Sequence, residues 1–131
     1  TKIRIAGIVI QDGKILMEIG KGYSELWTPG GKIEGTETDE ECLARELREE
    51  LELELVRAKF FKEYSSPDFY NDKRTIIDRV YVIEITGTPN PSAEIEKCVW
   101  FAKEDFENKK YPMLKSYQDI IFPDLIREGV W

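Results

Sequence analysis

The sequence predicts a single α+β domain organised around one long helix. Three observations carry that expectation. Short apolar runs alternate with turn signals, one capped amphipathic segment fills 38–53, and no linker or internal repeat interrupts the 131 residues. A chain of that length with 41% apolar residues can bury a real core, so one domain is expected over 1–131.

Residues 3–11 are dense in Ile, Val and Ala and read as a strand. Asp12-Gly13 is a hairpin signal that returns the chain through 14–19. A loop over 20–25 precedes Leu26-Trp27, where extended structure resumes. Thr38 stands three residues before Glu41, a capping-box pattern, and Asp39 and Glu40 suit the positive end of the helix dipole. Good helix formers follow, with no Pro or Gly until past Leu53. At about 100° per residue, Leu43, Ala44, Leu47 and Leu51 share one arc, the expected buried face. Residues 54–64 read as a long strand, 65–74 as a polar loop with two aromatics, and 76–86 as the next strand. A turn with two prolines at 87–92 leads to a strand over 94–102 and a short helix over 104–108. Residues 112–128 suit a closing helix that Pro123 should kink or split.

Composition excludes several chemistries. With no histidine, Ser-His-Asp catalysis, Cys-His catalysis and His-ligated zinc are all ruled out. Cys42 and Cys98 are too few and too far apart for a zinc site or a redox pair, and Cys42 reads as a small semi-buried residue. A net charge of −7 argues against a nucleic-acid polymer or an anionic membrane as partner. No apolar run approaches spanning length and no secretory leader is legible, so a cytoplasmic location is expected. The apolar end, Val130-Trp131, calls for a contact with its own domain or with a second subunit, and a homodimer is the favoured expectation.

The chemistry gathers on the long helix. Glu46, Glu49 and Glu50 stand at i, i+3 and i+4, a fan of carboxylates that repel by a few tenths of a kcal/mol per pair. A solvated acidic face is the plain explanation of such a run. The turn in front of the helix argues for more. Gly30-Gly31 permits backbone conformations closed to other residues and a close carbonyl approach, and a glycine-rich turn before a capped helix is a common phosphate environment. A hard divalent cation would relieve the repulsion and still accept phosphate.

Gly31, five residues, Glu37, seven residues, then Arg45-Glu46-Leu47-Arg48-Glu49-Glu50 resembles the Nudix box, here spanning about 31–53. Leu26-Trp27-Thr28-Pro29-Gly30-Gly31 also looks like the strand and turn that precede it. The family pattern closes on Gly and an aliphatic residue, whereas this chain has Glu52-Leu53. The resemblance implies an α/β/α sandwich with a mixed central sheet and the box helix against one face. It implies Mg²⁺-dependent cleavage of the pyrophosphate linkage in a nucleoside diphosphate joined to another group, with Mn²⁺ as a substitute. Glu46, Glu49 and Glu50 would hold metal, with one taking the proton of the attacking water, and the Gly31 carbonyl would add an oxygen. Arg45 would orient the glutamates, Glu37 would anchor the loop, and Glu94, with Glu96 in reserve, would supply a further metal or general-base carboxylate.

Gly30, Gly31, Trp27 and Phe69 are the candidate substrate contacts, and Tyr64, Tyr70, Tyr111 and Trp131 are further surfaces on which a base can stack. Ser66-Pro67-Asp68-Phe69 is similar to a stretch of the family's ADP-ribose pyrophosphatases, while the compact length looks like the MutT-type nucleoside triphosphate pyrophosphatases. Both substrate classes stay open. So do a catalytically inactive nucleotide-binding module with this fold and an acidic helix that holds no metal.

Overall fold

A computed structural model describes residues 1–68 and 73–131. Asp12 and Gly13 take φ of 52° and 76°, the left-handed pair whose twist matches the strands of a tight hairpin. They fold β3 (Lys14–Gly20) onto β2 (Ile10–Gln11), with Ile10 opposite Ile15. The strand expected over 3–11 is two strands, β1 (Lys2–Ile8) and β2, parted at Val9. The break sends the chain from one sheet to another. β1 lies in a mixed four-stranded sheet, between β4 (Gly30–Gly31) on one side and β6 (Thr75–Thr86) on the other, with β5 (Glu54–Pro67) at the edge. β1 runs parallel to β6, and the other pairs are antiparallel. β2, β3 and β7 (Ile95–Ala102) form the second, antiparallel sheet.

The helix α1 runs Asp39–Leu51. Thr38 Oγ1 accepts from the Glu41 amide at 3.2 Å, and Glu41 Oε1 accepts from the Thr38 amide at 2.9 Å, closing the capping box. Leu43, Leu47 and Leu51 are fully buried, while Ala44 is only half-covered and Cys42, expected to be semi-buried, is buried completely. Burying each leucine contributes about 1.5–3 kcal/mol, which fixes a helix of this length that would be marginal alone. Where the family pattern has glycine, Glu52 takes φ 56° and ends the helix in the left-handed conformation, its amide donating to Arg48 O at 3.2 Å.

Two segments depart from expectation. β5 continues through Pro67, pairing Ser65 with Ile77 and Pro67 with Thr75, so part of the expected loop belongs to the ladder. An edge strand tolerates the missing proline N–H, and irregularities at Leu55/Arg57 and Phe60/Lys62 blur the alternation by which the strand would be read. The expected closing helix begins late. Met113 bridges Leu26 in extended structure; a π-helical turn then spans Tyr117–Ile121, and an α-helix, Phe122–Arg127, follows. Pro123 cannot donate, and its ring would strike the carbonyl four residues back. The widened turn, with the Phe122 amide on Tyr117 O, absorbs the conflict. The shorter helix before it, α2, is Lys103–Glu107.

Alternate residues of β3 feed two cores. Ile15, Met17 and Ile19 pack with Phe101, Phe122 and the C-terminal segment, while Leu16 packs with Ile5, Ile83 and the leucines of α1. Trp131 lies in the first core, stacked on Phe101 at 6.1 Å, with its indole N–H donating to Gly13 O at 2.9 Å. The contact that the apolar end called for is made within its own domain. Among the described residues, no helix is long and apolar enough to cross a membrane.

Candidate active site

The two glycines of β4 do different work. Gly30 has φ 148°, and a Cβ there would sit 2.0 Å from the Ile5 carbonyl oxygen, so only glycine lets β4 pair with β1. A Cβ on Gly31 would lie 2.4 Å from Glu46 Oε1. The missing side chain is the space that the Glu46 carboxylate fills. One helical turn on, Glu50 Oε1 accepts from the Gly30 amide at 3.3 Å. The i, i+4 spacing on α1 thus lays two carboxylates on the turn, while Glu49 is turned outward with its side chain 55% exposed. Cys42 Sγ approaches the Gly31 carbonyl at 3.7 Å, and burial pushes its thiol up to about 11.

Arg45 ties the acidic groups together. Its guanidinium grips Glu37 through two bonds of 2.7 and 3.1 Å, and reaches Glu46 Oε1 at 2.9 Å, Glu49 Oε2 at 3.2 Å and the Lys32 carbonyl at 2.9 Å. Glu37 also accepts from the Glu34 amide at 2.9 Å, which staples the loop to the helix. These charge-assisted bonds hold Arg45 firmly protonated and lower the Glu37 carboxyl.

Opposite α1, Glu18 of β3 is wholly buried, and neither of its carboxylate oxygens has a hydrogen-bond partner. Burial raises its carboxyl. Burial also raises that of Glu50, and the charge of Glu18 adds to the effect. Arg4 works against both shifts, while its side chain donates to the Tyr117 hydroxyl at 2.6 Å and to the Thr28 carbonyl.

A family model described as NUDIX domain matches residues 1–124. This chain belongs to the Nudix family. It is a hydrolase of that pyrophosphohydrolase family, whose substrates are of nucleotide type and whose members typically depend on a divalent cation. It is 29% identical over 118 residues to the CTP pyrophosphohydrolase of Escherichia coli (strain K12), covering 83% of this chain and 80% of that one. To the ADP-ribose pyrophosphatase of Methanocaldococcus jannaschii it is 29% identical over 130 residues, covering 95% and 73%. The MutT protein of Methanosarcina mazei Go1 superposes with a TM-score of 0.81 over 98% of this chain and 94% of that one; at 18% identity the likeness speaks for the α+β fold alone.

The remaining candidates of this Nudix domain sit less centrally. Glu94 is exposed just before β7, where its carbonyl accepts from the Lys21 amide at 2.7 Å, and Glu96 is exposed within the strand. The preceding loop is docked on the C-terminal end of α1, with Ser92 Oγ donating to Glu49 O at 2.6 Å and the Ser92 amide to Glu50 O at 2.9 Å. Trp27 is half-buried, edge-on to Tyr23 at 5.2 Å, with its ring over Gly20. Tyr64 is engaged with Asp124, and Tyr111 packs on Phe101. Phe69 and Tyr70 lie outside the described residues. A cleft of about 300 Å³ is lined by Ser66, Asp68, Ile76, Leu114 and Ser116 among others.

Among the described residues, no three acidic or thiol side chains form a ready cation cage. Arg45 draws Glu46 and Glu49 to itself. The residues nevertheless fit a hard divalent ion: Glu46, Glu50 and the Gly31 carbonyl offer oxygens at the turn, and Glu18 brings buried oxygens that lack a hydrogen-bond donor. Reasoning from the sequence missed Glu18. Its signal was a lone charge inside the run Ile15-Leu16-Met17-Glu18-Ile19, whose other four residues are apolar on both faces of the strand.

Proposed function

We propose that this Nudix hydrolase cleaves the pyrophosphate linkage of a nucleoside diphosphate joined to a further group, using Mg²⁺ with Mn²⁺ as a substitute. The observation that carries the proposal is the seating of Glu46 and Glu50 on the Gly30-Gly31 turn, in space that any larger residue at position 31 would fill. Glu46, Glu49, Glu50 and the Gly31 carbonyl would hold the ion, with Glu94 reaching in from the loop docked on the end of α1. When bound, a divalent cation offsets the charge of the diphosphate and acidifies the attacking water.

The protein's own groups do the rest. Arg45 orients Glu46 and Glu49, and Glu37 holds Arg45 against the loop, so the carboxylates keep one geometry as the diphosphate arrives. One of the three box glutamates takes the proton of the water. Gly30 and Gly31 are the proposed contacts of the turn with the diphosphate, and Trp27 and Phe69 are the proposed contacts for the nucleoside. The CTP and ADP-ribose pyrophosphatases among the relatives support two substrate classes, nucleoside triphosphates and ADP-ribose-type diphosphates, which share the nucleoside–P–O–P unit.

A panel of nucleoside triphosphates, ADP-ribose and dinucleoside polyphosphates, assayed with Mg²⁺ and with products separated, tests the proposal. Turnover on one class is expected, and a chelator or Glu50→Gln should abolish it. Nucleotide binding without turnover across the panel would instead favour an inactive module.

A further inference from the structure

We propose that Glu18 is a cation-holding carboxylate of this chain, joining Glu46 and Glu50 of α1 from the strand opposite; this rests on the metal-dependent reading above. The first argument is the parity of β3. Ile15, Met17 and Ile19 face one core, whereas Leu16 faces the core beneath α1, and Glu18 is on the Leu16 face. Leu16, its neighbour on that face, is fully buried, and so is Glu18 itself.

The second argument is the lack of a partner. A carboxylate fully removed from water is costly unless something answers its charge. Neither oxygen of Glu18 meets a donor in hydrogen-bonding geometry, although the Trp27 and Glu50 side chains lie beside it. Arg4 commits Nη1 to Tyr117 and Nη2 to Thr28, and Arg45 commits its donors to Glu37, Glu46 and Glu49. The acidic side chains beside Glu18 are those of Glu50 and Glu46, so three carboxyl groups meet on the buried side of the site with Arg4 as the cation that bears on them. A divalent cation shared with Glu46 and Glu50 answers all three.

The third argument is rigidity. Glu18 exchanges backbone hydrogen bonds with Trp27 at 2.8 and 3.0 Å and pairs with Cys98 on its other side. The strand that carries it is therefore tied to the segment that becomes Thr28-Pro29-Gly30-Gly31. Glu49, by contrast, is exposed and held by Arg45. Glu18 supplies a buried wall to the ion site, and Glu49 a solvent-exposed rim.

Mn²⁺ binding to the full chain, followed by electron paramagnetic resonance and by calorimetry, tests the assignment in wild type, Glu18→Gln and Glu46→Gln. Glu18→Gln should lose at least ~10-fold in Mn²⁺ affinity, and its metal-free melting temperature should be equal to or above that of wild type, because no charge remains to bury. Unchanged affinity in Glu18→Gln, with Glu46→Gln weakened, overturns the role of Glu18 and leaves the metal-dependent reading intact. No Mn²⁺ binding by wild type sinks that reading itself. If Glu18→Gln does not fold, Glu18→Met repeats the measurement, and failure of both to fold makes Glu18 a structural residue and overturns the proposal.

Discussion

Replacing Gly31 by alanine separates the fold of this protein from its chemistry. The added Cβ would stand 2.4 Å from Glu46 Oε1 and 2.5 Å from Glu46 Cδ, roughly 1 Å inside ordinary contact. The obstructing atoms are the far end of a flexible side chain, so Glu46 can swing aside. It would give up its 2.9 Å bond to Arg45, while Glu37 and Glu49 keep theirs. The expected loss of stability is about 0.5–1.5 kcal/mol. The expected loss of activity is much larger. A carboxylate displaced by about 1 Å from a reacting centre typically costs on the order of 100-fold, or about 2.7 kcal/mol of barrier. Gly30→Ala is the control. There the Cβ would lie 2.0 Å from a backbone oxygen at φ 148°, neither of which can yield, so a loss of about 3 kcal/mol or more is expected. Urea unfolding together with kcat/KM at saturating Mg²⁺ measures both quantities. Gly31→Ala with turnover within about threefold of wild type would refute the reasoning, as would equal destabilisation by the two substitutions.

Further outcomes follow from other contacts. Arg45→Lys replaces a fork that spans Glu37, Glu46 and Glu49 by a single ammonium, so kcat/KM should fall by about tenfold or more with little change in melting temperature; unaltered kinetics would remove Arg45 as the organiser. Glu52→Gly should raise the melting temperature by about 1–3 °C, because glycine relieves the φ of 56° at the helix end while losing only an exposed bond to Asn90. The Tyr64 hydroxyl, Lys62 and Arg127 hold the Asp124 carboxyl down to about 2. A depressed carboxylate stabilises the fold above its ordinary range near 4 and loses that contribution as pH falls through about 2. Wild type should therefore weaken between those values, and Asp124→Asn should be less stable at pH 7 but flatter over the same window, as urea midpoints against pH would record.

What was legible beforehand was local. Thr38 and Glu41 cap a helix because both partners lie within one turn, and Asp12-Gly13 makes its hairpin from its own backbone preferences. The Glu46, Glu49 and Glu50 fan follows from 3.6 residues per turn. Illegible features depended on distant neighbours. Ser65–Pro67 join β5 because β6 is there to pair with them, and the break at Val9 matters only because two sheets must be joined. Pro123 announced a disturbance, and packing of Tyr117, Ile121 and Phe122 in the core decided that it would be a widened turn rather than a break.

The amino-acid order alone determined the helix, its cap and the spacing that puts a glycine pair ahead of three glutamates, since each depends on contacts a few residues apart. Only the tertiary structure decided which of those glutamates meet the turn, that Arg45 gathers four acidic side chains including Glu34, and that Glu18 is buried without a partner. A carboxylate on a strand becomes costly only when both faces of that strand are covered. That covering comes from α1 on one side and from the C-terminal segment on the other, more than twenty and nearly a hundred residues along the chain from Glu18.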